Sequence, residues 1–590
     1  MIVKMSKATI VMTKQDVDSA LVKLRKLGLL HIKHLNIPSC KEVDLFEEDL
    51  RDVDKVLSTL GNGQVSQEDL TFPADRIMIK DILCLHNKKR KLLSRKEDLE
   101  NKLSWFKEWG KVSLSSLREL KEGGVYLKLY KLNKEQFKVV FKDKLVFLLR
   151  KERGIFYTVF VSLDKDESLD FSETEFTDED FDSLNRELKL VDELIQDINS
   201  DLKKFRRYRE SFKKYRAYVI KQIEFYKVRS GLGVYGELCC LQGFLPAEDA
   251  VKLKVEAKNQ GWAFLLQEPD NLREVPTLIR NPRWVNIIKP VFKFMGTIPG
   301  YAEFDISLLF LIFLTLFFAI LIGDAGYGVL FLVATFLFRR KYKDAPGEIF
   351  SLMYVFSTAT IIWGLISGTW FGSEQIAALP FLHRFVIHRI DSFVSTNQGF
   401  LMFLCFVIGA IHLTIAHSLL VYRHRKSFLA LAHAGWILVI WSLFFLAGKL
   451  VINRLFPPFA GYLLVMGVLL ILLFAFPSKN ILKSVALSLG DIPLKLISSF
   501  SDIVSYIRLF AVGYATVIVA SSFNNMAMSV GLSNFIKGLG FASILFFGHS
   551  LNIILGLMAI IVHGVRLNML EFSGHLGMEW SGVPYQPFRE

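Results

Sequence analysis

The sequence predicts a soluble α+β arm followed by an all-helical, polytopic membrane domain. Two observations carry that reading: charge is concentrated in the first half, and long apolar runs fill the second. Of the 590 residues, 1–300 hold 54 Lys and Arg and 46 Asp and Glu, whereas 301–590 hold 18 and 12. The net charge of +14 therefore splits into excesses of +8 and +6. Neither half is the concentrated polycation that would point to nucleic acid. The composition argues against a single soluble globule, a disordered chain and a secreted disulfide scaffold.

The opening MIVKMSKATIVMTKQD has too short an apolar run for a signal peptide, so residues 1–300 are expected to stay in the cytoplasm. The five cysteines are scattered, with no CxxC pair and no zinc spacing. Adjacent Cys239 and Cys240 read as strand residues.

Two helical patterns dominate residues 1–300. One runs from about Ala74 to Lys111, the other from about Asp178 to Arg229. In the second, Leu188, Val191, Ile195, Ile198, Leu202, Phe205, Phe212, Val219, Ile223 and Tyr226 keep 3/4 spacing, which predicts a coiled coil. Arg209 and Arg216 interrupt that seam, and Tyr208 and Tyr215 beside them can cover the gap. Two such stretches predict an antiparallel helical hairpin. Strand-like runs surround them at Ala8–Met12, Val125–Tyr130, Lys144–Leu149, Ile155–Val161 and Tyr235–Leu245. Acidic 164–182 reads as a solvated loop. The expected arm is two small α/β lobes bridged by the coiled coil. It carries no GxxxxGK[ST], no GxGxxG after a strand and no nucleophile elbow.

Apolar segments follow at 306–338, 349–371, 399–422, 428–452, 459–477, 497–528 and 536–569. A single crossing by 306–338 would leave Arg339, Arg340, Lys341 and Lys343 outside, against the positive-inside rule. A turn at Gly323-Asp324-Ala325-Gly326-Tyr327-Gly328 returns them to the cytoplasm. Arg423, Arg425, Lys426, Lys479, Lys483 and Lys495 then also fall inside. That predicts eight crossings, with both termini cytoplasmic.

Arg508 and Arg566 cannot be placed at an interface. An Arg at mid-helix costs on the order of 2.5–3.5 kcal/mol on insertion scales, so it faces protein or water. His549, Asn552, Gly556, Ile560, His563 and Arg566 share one helical face, as do Ser501, Ser505 and Arg508. Glu571 reads as lying near the cytoplasmic end, which leaves Arg508 without an acidic partner in its own chain and predicts one on another subunit. His412, His417 and His433 raise the question of haem, but no facing pair for bis-His ligation is evident. They read as hydrogen-bonded packing residues.

These motifs resemble the a subunit (subunit I) of V-type/A-type rotary ATPases in its short prokaryotic form. The matching pieces are Gly243-Phe244-Leu245-Pro246, Val275-Pro276-Thr277, Gly300-Tyr301 with Glu303 and Asp305, and Gly323–Gly328. Ser505-Tyr506-Ile507-Arg508-Leu509, Gly548-His549, Asn552, His563, Arg566-Leu567, Glu571-Phe572 and Pro587-Phe588 complete them. The resemblance implies that Arg508 faces a rotating proteolipid (c/K) ring of buried carboxylates, with Arg566 in support, while H⁺ or Na⁺ passes through two half-channels. Ser505, Tyr506, His549, Asn552, His563 and Glu571 are candidates for lining that path or orienting the arginines, and Gly323, Asp324, Gly326 and Gly328 for a structural turn. Some relatives place His where this chain has Thr516, and Glu near Gly556. Residues 1–300 are implied to be a stator arm that meets the peripheral stalk (E/G) subunits and the central-stalk base, with 301–590 embedded in a prokaryotic inner or plasma membrane. No cofactor, metal, nucleotide site or nucleic-acid partner is implied. The competing readings are a stand-alone secondary ion transporter with a cytoplasmic regulatory domain, disfavoured by the single broken-helix motif, and a membrane scaffold whose arginines are structural.

Overall fold

A computed structural model describes the chain except for residues 62–75, 112, 153, 177–179, 344, 476–480 and 532. Ala74, Asp178 and Lys479 of the expectations above therefore lie outside the described residues. A five-stranded sheet has the order His31–Lys33, Leu238–Pro246, Met5–Thr13, Ala263–Gln267, with Gly233–Tyr235 also pairing with Leu238–Pro246. The chain divides into two compact units: 9–28, 32–242 and 588–590 form one, and 1–8, 29–31 and 243–587 the other.

In the first unit a four-stranded sheet runs Val146–Glu152, Ile155–Ser162, Tyr126–Asn133, Glu173–Thr174. Tyr126 pairs with Ser162 and Asn133 with Ile155 in antiparallel register. Gly154, at φ +87°, supplies the left-handed position in the tight turn between Val146–Glu152 and Ile155–Ser162. Four of the five predicted strand runs are present as single strands; the fifth, Tyr235–Leu245, is split by a turn at 236–237 into Gly233–Tyr235 and Leu238–Pro246, the second of which holds Cys239 and Cys240. Strands His31–Lys33, Glu173–Thr174 and Ala263–Gln267 escape the sequence reading because they are short or polar. The acidic 164–182 stretch is more than a loop: Leu169 and Phe171 pack into the small core beneath this sheet.

Helices Arg76–Trp109 and Phe181–Phe205 lie antiparallel, since Phe106 meets Phe181, Arg95 pairs with Glu187, and Ile82 shares a core with Ile198 and Leu202. The second predicted helix keeps helical backbone but passes through one 3₁₀ turn. A tight turn at Arg206–Tyr208 separates Phe181–Phe205 from Arg209–Ser230, and beyond it the partner changes to a helix the periodicity reading missed, Lys41–Leu60. Val53, Val56 and Leu60 were its apolar signal, diluted by a strongly charged surface. Tyr208 and Tyr215 do cover the gap left by the arginines, and Arg216 reaches Asp54 at 2.6 Å.

The second unit is mostly helical. Among the described residues, five helices are long and apolar enough to cross a membrane: Gly347–Ser367, Gln398–Arg423, Leu429–Ile452, Leu489–Val530 and Phe535–His575. The bent pair Ser307–Ile322 and Ala325–Lys341 would make six if counted as one span, and Pro458–Phe474 is a shorter apolar helix. The bend of 119° falls at Gly323-Asp324, where Gly323 caps the first helix at φ +68°. Gly326 and Gly328 lie within the first turns of the second helix and not in the turn. There a Cβ would meet the Phe371 ring at 2.6 Å and Ile361 at 2.8 Å, so these two glycines permit close packing.

Asp324 holds the bend together. Its buried carboxylate accepts from the backbone N–H groups of Gly326, Tyr327, Phe371 and Gly372 at 2.8–3.2 Å. It thus caps one helix and pins the chain just after Gly347–Ser367. Gly364 of that helix approaches closest, since a Cβ there would lie 2.1 Å from the Ala325 nitrogen. Gly364→Ala is expected to destabilise the membrane unit by about 1–3 kcal/mol, read as a lowered melting temperature in detergent; an unchanged melting temperature would contradict this packing.

Candidate functional site

Arg508 sits where a helix tightens. Tyr506 N–H donates to the Ile503 carbonyl at 3.2 Å, and Leu509 N–H to the Tyr506 carbonyl at 3.0 Å. These are i→i+3 bonds of 3₁₀ type. In a regular α-helix the Leu509 N–H would bond the Ser505 carbonyl. Freed from that role, the Ser505 carbonyl accepts from Arg508 Nε at 2.9 Å. The overwound turn thus fixes one edge of the guanidinium.

The last helix does the opposite. It is α-helical over Phe535–Ala559, then π-wound over Ile560–Gly564 and Leu567–Phe572. In an α-helix Arg566 and Glu571, five residues apart, would point about 140° away from each other. In the wider π turn they converge, with Arg566 Nε 3.8 Å from Glu571 Oε1. The same oxygen accepts from Arg508 Nη2 at 2.5 Å.

This corrects the expectation that Arg508 lacks an acidic partner in its own chain. The α-period places Glu571 away from Arg508, and the change of winding brings it back. It also breaks the extrapolated stripe: His549, Asn552 and Gly556 keep α phase, whereas His563 and Arg566 lie in or beside the π turns. Glu571 is 3% exposed, Arg508 23% and Arg566 53%. Charge is therefore buried mainly at the acid, with Arg508 at the margin.

The remaining candidates fall into separate groups. Tyr506 is fully buried, and its hydroxyl meets His412 Nδ1 at 2.9 Å. His412 stacks between Phe313 and Phe572, which makes it the packing residue expected of it. Gly409 makes room, since a Cβ there would touch the Tyr506 ring at 2.6 Å.

His549 and Asn552 belong to a second polar cluster nearer the Asp324 bend. The Tyr327 hydroxyl meets His549 Nδ1 at 2.7 Å, and His549 Nε2 meets Asn524 Oδ1 at 3.1 Å. Asn552 Nδ2 donates to the Tyr327 hydroxyl and to the Thr516 carbonyl. Thr516 itself bonds the Gly513 carbonyl, and Gly556 lies against Ile322. Thr516 and Gly556 are thus taken up by backbone bonding and packing. His563 is half-buried, with its Nδ1 unbonded.

Ser505 lines a polar cavity of about 540 Å³, together with Glu571, Arg566, Asp502, His417 and His575. Asp502 and His575 escaped the sequence reading. The available signal was simple: Asp502 is an ionisable residue inside an otherwise apolar helix, which is by default a functional candidate.

Fold and site together define a multi-pass membrane protein with a partly buried, ion-paired arginine on one of its two longest apolar helices. No family model matches the chain. Over 620 aligned residues it is 33% identical to a V-type ATP synthase subunit I of Borreliella burgdorferi, covering all of both chains. It is 28% identical over 624 residues to V-type ATP synthase subunit I 1 of Treponema pallidum, again over both full lengths. With the A-type ATP synthase subunit I of Methanocaldococcus jannaschii it shares 26% over 604 residues, covering 92% of this chain and 84% of that one. The chain belongs to the subunit I family of V-type and A-type ATP synthases.

Removing one member of a buried ion pair leaves the other uncompensated, at about 3–5 kcal/mol, whereas replacing both by apolar groups costs far less. Glu571→Leu should therefore lower the melting temperature of the purified protein more than Arg508→Met with Glu571→Leu. Strictly additive losses in that double-mutant cycle would show that the pair is not coupled.

Proposed function

We propose that this subunit conducts H⁺ or Na⁺ along two half-channels at its contact with a rotating ring of proteolipid subunits, and so couples ion flow to ATP hydrolysis or synthesis. The observation that carries the reading is the Arg508–Glu571 pair between two apolar helices of 42 and 41 residues. A charged pair inside such helices is costly and marks an ion pathway more often than a packing device. Membership of the subunit I family points the same way.

The mechanism follows from the guanidinium. It has five N–H donors in a planar fork. Nε is tied to the Ser505 carbonyl and Nη2 to Glu571, while Nη1 takes no part in these contacts. Glu571 holds Arg508 while no ring carboxylate faces it. An arriving ring carboxylate finds a fixed positive charge, which favours its ionised form and expels its H⁺ or Na⁺. The same charge repels cations and blocks a direct leak between the half-channels. One half-channel is the polar cavity beside Ser505 and Glu571; the other is the Tyr327–His549–Asn552 cluster. Arg566, half-exposed beside Glu571, supports the pair.

Eight crossings fit this reading: the two helices of the bent pair, the five long helices and Pro458–Phe474. Both termini then lie in the cytoplasm with the basic clusters. Residues 1–300 serve as the stator arm that meets the peripheral stalks and the central-stalk base, its antiparallel helices acting as a coiled coil, and 301–590 form the embedded part.

Arg508→Ala should abolish ion-coupled ATPase activity in the purified, reconstituted complex while subunit composition stays intact. Arg508→Lys should also fail, because a point charge cannot bond the Ser505 carbonyl and Glu571 in the same geometry. Undiminished pumping by the alanine variant would refute the assigned role. Recovery of an active transporter free of any ring would refute the reading as a whole.

A further inference from the structure

The cavity beside Glu571 has a wall that the mechanism above does not use. Three of the twelve histidines of the chain line it, His417, His433 and His575, and a fourth, His424, stacks against His433. Three separate stretches supply them. His417 and His424 come from the region of helix Gln398–Arg423, His433 from Leu429–Ile452, and His575 from the end of the last helix.

Their arrangement is a chain. Asp502 Oδ2 lies 3.1 Å from His575 Nε2, and His575 Nδ1 lies 3.0 Å from His417 Nε2. The His417 and His433 ring centroids are 5.7 Å apart, and those of His433 and His424 5.5 Å. His417 stacks on Trp436, which fixes its ring plane. No group of three His, Cys, Asp or Glu among the described residues is placed to hold a metal ion.

Hydrogen-bond polarity follows from the acid at one end. An ionised Asp502 only accepts, so His575 Nε2 donates to it. A neutral His575 then accepts at Nδ1, from His417 Nε2–H. That leaves His417 Nδ1 as an unprotonated nitrogen, and it is indeed buried without a hydrogen-bond partner. Glu571 Oε2, on the same cavity, is likewise buried and unbonded.

We propose that His417, His575 and Asp502 form a proton relay along this cavity, linking its His433 wall to the Glu571–Arg508 pair. The proposal rests on the ion-conducting reading above and narrows it, because imidazoles pass protons by bond exchange and cannot pass Na⁺. Each transfer balances. A proton binds the lone pair of His417 Nδ1. The Nε2–H bond of His417 breaks as an N–H bond forms at His575 Nδ1. The Nε2–H bond of His575 then breaks as Asp502 takes the proton. Neutral Asp502 releases it to water in the cavity, beside the free oxygen of Glu571. The transfer leaves both imidazoles protonated at Nδ1 with Nε2 bare; each Nδ1–H proton is then lost to cavity water as Nε2 gains one from it, which restores the starting tautomers, while passage in the opposite direction starts from the Nδ1–H forms.

The test uses the intact ATPase complex reconstituted into liposomes, with ATP-driven acidification read by a pH-sensitive dye. His575→Gln keeps amide groups that can bond Asp502 and His417 but cannot exchange a proton. It should slow pumping at least about tenfold. His575→Ala should be similarly slow and should regain rate when imidazole is added, a response that a merely structural role would not give. Pumping by His575→Gln at the unmodified rate, no effect of imidazole on His575→Ala, or ATP-driven ²²Na⁺ uptake in place of acidification would each overturn the relay. Arg508→Ala in the same preparation separates the two levels. If it pumps normally, the ion-conducting reading itself falls. If it stops while His575→Gln pumps normally, only the relay falls.

Discussion

A charge taken out of water must be answered by an opposite charge or by hydrogen bonds, and the Arg508–Glu571 bond at 2.5 Å is where this fold uses the first. The two residues lie 63 positions apart on different helices, so the bond depends on both backbones at once. One helix is overwound at Tyr506, which releases a carbonyl to the guanidinium. The other is underwound from Ile560 to Phe572, which turns the acid toward it. Regular α-geometry in either helix would lose part of the arrangement. Local departures from ideal winding are here the means by which the pair is assembled.

The surrounding helices hold those departures in place. Tyr506, at the tight turn, is locked by His412 and by the room that Gly409 leaves. Asp324 answers a comparable problem without a cation: four backbone N–H groups satisfy its carboxylate and fix the bend that packs Ser307–Ile322 against Gly513 of the Arg508 helix. At Gly513 a Cβ would lie 2.4 Å from the Ile320 carbonyl oxygen, so the two backbones touch. Rigid packing at the Asp324 end and polar bonding at the Asp502 end leave Arg508 between them.

Much of this was legible in the sequence because it rests on local pattern. Apolar length gave each membrane helix, alternation gave the longer strands, and the glycines around Asp324 gave the bend. Arg508 and Arg566 stood out because charge is rare there. What stayed hidden depends on tertiary fold or on winding. No residue type announces a π turn, so Glu571 seemed out of reach. His417 and His433 were visible one by one and His575 was not, and only packing brings the three to a single cavity. Helix Lys41–Leu60 was obscured by its own charges, and the short strands by their length.

The π-wound end of the last helix has a mechanical consequence. Each wide turn stores one residue of slack in an otherwise regular rod. Tightening such a turn to α would rotate everything beyond it by about 100° around the axis. Glu571 would swing off Arg508 while the Phe535–Ala559 part of the helix stayed where it is. The contact between acid and base can therefore be made and unmade by twist alone, as a key turns in a lock whose barrel does not move.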